Sequence, residues 1–265
     1  MDVSFWIKLL LGFVVGSLWV TLSTISAERF GSKVGGLIGG LPSTVVVALL
    51  FIGLTQSPEV ASQATTVMPL AQGLNGLFVL TFMLLISRGL WLGLLGALLL
   101  WFFQSTILYL LDIQFFWLSL LGWLFLLAFC YFAVEKWMTV PSQAKLAISY
   151  PPSQLVWRAI FGGGVIALAI FMSKVGGPLL GGIFSSFPAM FLSTLVITYK
   201  SSGPTFSRSV GKSLLISGLV NVPLYEIMVR LLYPTVGLGF GTLLALLFSM
   251  GTGYLTFLFM KARLS

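Results

Sequence analysis

A few polar side chains stand in an otherwise apolar chain of 265 residues, and their types decide what chemistry is open to it. Ser43 and Thr44, Ser185 and Ser186, and Asn75 and Asn221 offer neutral hydrogen-bond donors and acceptors. Lys33, Lys174 and Glu226 offer charge. Such groups can replace the water around a small solute. They are poorly suited to making or breaking its bonds: there is no histidine, the one cysteine is Cys130 in an apolar run, and the six acidic residues form no paired-carboxylate or H-E-x-x-H arrangement. The commonest general base and metal ligand are therefore missing. The expectation is a protein that is not an enzyme and uses neither a metal nor a cofactor.

The hydroxyl pairs follow two glycine-rich runs. Ser32-Lys33-Val34-Gly35-Gly36 leads through Gly39, Gly40 and Pro42 into Ser43-Thr44, and Ser173-Lys174-Val175-Gly176-Gly177 leads through Gly181 and Gly182 into Ser185-Ser186, with Pro188 just beyond. The likeness continues downstream, pairing Ser57 with Ser202, Leu70 with Leu215 and Gly73-Leu74 with Gly218-Leu219. One unit has been duplicated. Glycine in a helix costs about 1 kcal/mol relative to alanine, and proline removes a backbone donor, so such segments need a reason. Close helix packing through small residues is one. The other is a pair of interrupted helices whose freed backbone groups line a binding cavity, and matching interruptions in two halves are the best pointer to a carrier site.

The elements that must position these groups are membrane helices. The chain is 58% hydrophobic and 8% charged with mean hydropathy +1.08, whereas a soluble domain carries about 25% charged residues. Apolar runs long enough to cross a hydrocarbon core of about 30 Å fall near 4–26, 34–55, 63–87, 89–111, 114–134, 157–173, 177–199, 206–232 and 235–260. This predicts an all-α polytopic bundle of about nine spans. Residues 1–111 form a first four-helix repeat, 112–156 a linking span and loop, and 157–265 a second repeat. Lys and Arg divide about eleven to three between the two sides, which places the carboxyl terminus in the cytoplasm and the amino terminus outside a bacterial-type plasma membrane. That bias also accounts for the net charge of +8, so nucleic acid is not an expected partner; the lipid bilayer is, and a homodimer is compatible with the sequence. With one span between them, the repeats enter the membrane from opposite sides.

Each polar group has a plain reading beside the functional one. Lys33 and Lys174 are equivalent positions that suit an anionic solute, or that reach head groups. Glu226 is a candidate coupling carboxylate, or pairs with Arg230 one helical turn later. Asn75 and Asn221 bind solute or bond between helices. Gly12-x-x-x-Gly16, Gly89-x-x-x-Gly93 and Gly237-x-x-x-Gly241 read as helix-packing patterns.

At Phe187-Pro188-Ala189-Met190-Phe191, with Gly203 and Val222-Pro223-Leu224-Tyr225 downstream, residues 180–230 resemble the GlpM-like small bacterial membrane proteins. The doubled layout is similar in outline to the drug/metabolite transporter superfamily. The resemblance implies a transporter architecture and no particular substrate. The expected function is carriage of a small solute, with an anionic one as an extension, by alternating access between inverted halves. The alternative is a lipid flippase or an accessory subunit of an envelope-polymer pathway.

Overall fold

A computed structural model describes residues 2–29, 42–140 and 151–263, the side chains of 26–29 and 260–263 excepted. Lys33, Gly35, Gly36, Gly39 and Gly40 lie outside the described residues. Helices alone make up the regular structure described. They are α1 (Val3–Arg29), α2 (Ser43–Thr55), α3 (Pro58–Ala64), α4 (Met68–Leu85, closed by the 3-10 turn Ile86–Arg88), α5 (Leu90–Leu111), α6 (Phe116–Phe132, extended by the π turn Ala133–Trp137), α7 (Pro152–Ser185) and α8 (Ala189–Arg263).

The two longest helices are interrupted. Gly177, at φ 81° and ψ −178°, divides α7 into 152–176 and 178–185; Gly203 and Gly237, with nearly the same angles, divide α8 into 189–202, 204–236 and 238–263. That backbone region is essentially reserved for glycine, and Pro178 and Pro204 follow two of the three. Gly89 (φ 131°) turns the chain from α4 into α5 in the same way. Gly89 and Gly237 are therefore turn residues, which corrects their reading as packing glycines. Gly12-x-x-x-Gly16 does pack: a Cβ at Gly12 would lie 2.6 Å from Ile170, and one at Gly16 2.4 Å from Ile166.

Several helices are long and apolar enough to cross a membrane: 3–25, 68–88, 90–111, 116–137 and the interrupted run 152–259. The outer surface is itself apolar, with Trp91, Trp117 and Phe125 each at least 70% exposed, as a lipid-facing surface must be. Polar ties gather at the two ends. At one, Lys8 Nζ donates to Leu54 O (2.8 Å), Gln56 Nε2 to Ser173 Oγ (2.8 Å) and Arg230 Nη1 to Thr66 Oγ1 (2.9 Å). At the other, Lys212 pairs with Glu135 (2.9 Å) and donates to Val140 O (3.2 Å). Lys212 and Arg230 share the segment 204–236, and about 27 Å of helix rise separates them, close to the thickness of a bilayer core. The chain is an integral membrane protein in composition and in form.

Two apolar cores fill the bundle, and each draws on both halves of the chain. One joins Phe78 and Phe82 of α4, Trp101 of α5 and Cys130 of α6 to Ile183, Leu195 and Leu219. The other joins Phe5 of α1 and Leu49 and Ile52 of α2 to Ile166, Ile170 and Tyr225. Between lipid-soaked helices the gain comes from close dispersion contact rather than from escape from water. Accordingly α1 lies antiparallel on 152–176: Gly12 meets Ile170, Gly16 meets Ile166, and Ser17 Oγ donates to Ala159 O at 2.9 Å.

Candidate functional site

Two helices begin in the interior, each headed by a proline. Pro42 caps α2, with Val46 N donating to Pro42 O at 2.9 Å and no side chain closing the cap. In the second half, 178–185 ends where Ser186 N donates to Gly182 O (3.1 Å) and Phe187 N to Phe184 O (3.1 Å). Pro188 has no N–H and biases Phe187 away from helical angles, so the next helix restarts with Leu192 N on Pro188 O (2.9 Å). The expected interruption within Gly176–Pro188 thus falls at two points, Gly177 and 186–188. The expected single span over 177–199 becomes two half-helices. Pro42 stands opposite Pro188 in this arrangement, a pairing hidden by aligning the hydroxyls Ser43-Thr44 with Ser185-Ser186.

These helix heads meet. Ser43, Thr44, Gln72, Asn75, Ser185 and Ser186 line a cavity of about 40 Å³ with Phe187, Met190, Phe191, Gly218 and Val222, enough for about three water molecules. Among the described residues its walls hold no acidic or basic side chain. Asn75, on α4, crosses to the second half: its Nδ2 donates to Ser186 O (2.6 Å) and to Gln72 Oε1. Its Oδ1 has no partner among the described residues, and neither has Ser185 Oγ, although both residues are only 1% exposed. Buried polar atoms without partners are costly, and these two belong to residues that line the same cavity. Met190 N and Phe191 N, first-turn amides of 189–202, donate to no acceptor among the described residues.

Five residues expected to line a site therefore come together: Ser43, Thr44, Asn75, Ser185 and Ser186. Asn221 does not join them. Its Nδ2 donates to Ser217 Oγ (3.3 Å) and its Oδ1 accepts from Thr256 Oγ1 (3.2 Å), tying 204–236 to 238–263. Lys174 is also elsewhere, exposed in a separate polar recess of about 340 Å³ with Asp2, Ser4, Lys8 and Thr55 at the end of the bundle. Of the interruption glycines, Gly181 and Gly182 serve close approach: a Cβ at Gly181 would lie 2.5 Å from Ser173 Cβ, and one at Gly182 2.2 Å from Ala64 O. Gly176 packs on Leu180.

Glu226 is wholly buried, and neither carboxyl oxygen has a hydrogen-bond partner among the described residues. The ion pair expected with Arg230 does not form. Arg230 turns to Ser62 O (3.3 Å) and Thr66 Oγ1 (2.9 Å) and lies 4.4 Å from the centre of the Phe116 ring. Val222, one helical turn before Glu226, lines the cavity.

Three further residues matter to the site, of which the sequence singles out only Gln72, as one of the polar groups near membrane depth. Gln72 orients Asn75. Trp123 Nε1 donates to Leu219 O (2.7 Å), holding α6 against the segment that supplies Gly218. Arg158, counted only as one more basic residue on its side, is 4% exposed and donates to Thr194 Oγ1 (3.0 Å), with Nη2 3.7 Å from the sulfur of the cavity-lining Met190.

A family model described as protein of unknown function (DUF3147) matches residues 9–114 and 155–246. No curated protein and no solved structure matches the chain.

Proposed function

This chain belongs to the DUF3147 family, and from that premise we propose that it is a membrane carrier that moves a small solute by alternating access between two inverted halves. The observation that carries this reading is the interior cavity, lined by both halves and headed in each by a proline-capped half-helix. Its support in the rest of the molecule is consistent. The family match falls in two stretches, one in each half; α1 and 152–176 pack antiparallel as inverted equivalents would; Gly89 and Gly237 turn the chain at corresponding places. Nine crossings follow if 178–185 and 189–202 make up one interrupted span and α2 belongs to another. The membrane is then a bacterial-type plasma membrane with the carboxyl terminus in the cytoplasm.

Among the described residues the space between the halves is small, about 40 Å³, so it must widen for a solute larger than a few waters. Solute enters when the halves part on one side and leaves when they part on the other. Glu226 is the coupling group, taking up a proton on one side and releasing it on the other. It stands one turn from a cavity wall without the salt bridge that would hold it in one state.

The lone cysteine makes a direct test possible. In a Cys130→Ala background, a cysteine placed at Thr44 or at Ser186 is treated with a membrane-impermeant thiol reagent in right-side-out and in inverted vesicles. A carrier labels from both sides. Labelling from one side alone, or from neither, overturns alternating access.

A further inference from the structure

The class of solute can be read from the unspent hydrogen-bonding groups of the cavity, an inference that rests on the carrier reading for its meaning in transport. Two helix amino termini of 13 and 14 residues, at 43–55 and 189–202, point into the same space. Each presents first-turn amides and the positive end of a helix dipole. The opposite dipole end, at the close of 178–185, is largely spent: Gly182 O, Ile183 O, Phe184 O and Ser186 O all accept protein donors. Among the described residues free donors therefore outnumber free acceptors, and no acidic side chain competes for them. This environment suits a single negative charge.

One free acceptor remains, and it narrows the class. Asn75 Nδ2 is engaged by Gln72 and by Ser186 O, so the amide is fixed with Oδ1 as its open atom, buried and without a partner among the described residues. A bare anion would meet that oxygen with repulsion. A ligand with its own O–H or N–H would satisfy it, while Ser185 Oγ, also unpartnered, can donate to the anionic end. We infer that the cavity takes a small monovalent carboxylate or oxyanion that carries its own hydrogen-bond donor. Lys174, the sequence's argument for an anion, plays no part in this, because it lies in another recess.

The test is equilibrium binding to the full chain in detergent or nanodiscs, read by thermal unfolding and by tryptophan fluorescence. Trp101 is a natural reporter, its ring 4.7 Å from that of Phe187 in the turn. The probes are choline salts in isosteric pairs, bicarbonate against acetate and glycolate against propionate, each pair exchanging a hydroxyl for a methyl. The hydroxyl-bearing member should bind saturably and at least about tenfold tighter than its partner. Asn75→Leu should abolish that preference, and Asn75→Asp should weaken both anions; should either variant fail to fold, Ser185→Ala is expected to lower affinity for all four. Equal binding within each pair, no saturable binding, or an effect that follows sodium in place of choline overturns the inference. If binding fails while Thr44→Cys still labels from both sides, the anion class falls and the carrier stands; binding with one-sided labelling leaves an anion site in a protein that does not carry.

Discussion

Adding one methyl group at Gly182 should pry the two halves apart. The ideal Cβ would sit 2.2 Å from the carbonyl oxygen of Ala64 and 3.1 Å from Val67 Cγ1. Ordinary contact begins near 3.4 Å, so 178–185 and the end of α3 must separate by about 1 Å, and the closest obstacle is backbone that cannot rotate away. Overpacking of this kind costs about 1–3 kcal/mol, and with backbone as the obstacle the upper figure applies. Alanine returns up to about 1 kcal/mol of helix propensity. The net loss is about 2 kcal/mol, or about 4–8 °C in Tm for a chain of this size. Gly164→Ala is the control, in the preceding segment 152–176 with nothing within 4 Å of its added Cβ, and should leave Tm unchanged or slightly raised. Thermal unfolding of both variants in nanodiscs measures the difference, and the labelling rate of Thr44→Cys reports whether Gly182→Ala loosens the cavity. Equal Tm values for Gly182→Ala and Gly164→Ala would refute the reasoning, because the close approach of 178–185 to Ala64 would then not exist.

Other perturbations test separate parts of the structure. Gly237→Ala meets no atom within 4 Å, yet its φ of 78° should cost about 1–3 kcal/mol of backbone strain, whereas Gly239→Ala, equally open but helical, should be neutral by the same unfolding assay. Glu226→Gln preserves volume and removes the ionisable group, so it should fold normally while the labelling of Thr44→Cys loses its dependence on a transmembrane pH gradient; a retained dependence assigns coupling elsewhere. Lys212→Met leaves Glu135 without its cation and should cost about 1–3 kcal/mol, discounted because Glu135 is 25% exposed; the double variant with Glu135→Gln should recover part of that loss in a double-mutant cycle.

Much of this arrangement is legible in residue order because backbone breaks have strong chemical signatures. A glycine pair followed by proline stops a helix wherever it falls, and the second such run stops one at Gly177 and again ahead of Pro188. The hydroxyls after it were legible for the same reason, since the chain that breaks there must leave them facing what the break creates. What pairs across space was not legible. Gly12 and Gly89 stand in the same kind of Gly-x-x-x-Gly pattern, yet one packs on Ile170 and the other turns the chain, because a pattern records spacing and not φ. Asn75 and Asn221 differ only in what stands beside them: Ser186 O reaches one, and Thr256 satisfies the other. Glu226 and Arg230 have the spacing of an ion pair, but a carbonyl and a hydroxyl from 62–66 offer the guanidinium better partners. Such choices belong to tertiary neighbours that no local window contains.

The sharing of each apolar core between the two halves has a consequence for biogenesis. As the first half leaves the ribosome, the inner face of α2 lacks Ile166 and Ile170, and Asn75 lacks the carbonyl of Ser186. Nothing yet synthesised can complete either surface. Even with helices inserted one by one, the interior closes only after residues 152–202 arrive to dock on partners made about a hundred residues earlier, a high-contact-order step and hence a slow one. Until then the nascent protein holds an open polar seam in the bilayer, the stage at which an insertion chaperone or premature proteolysis would have most to act on.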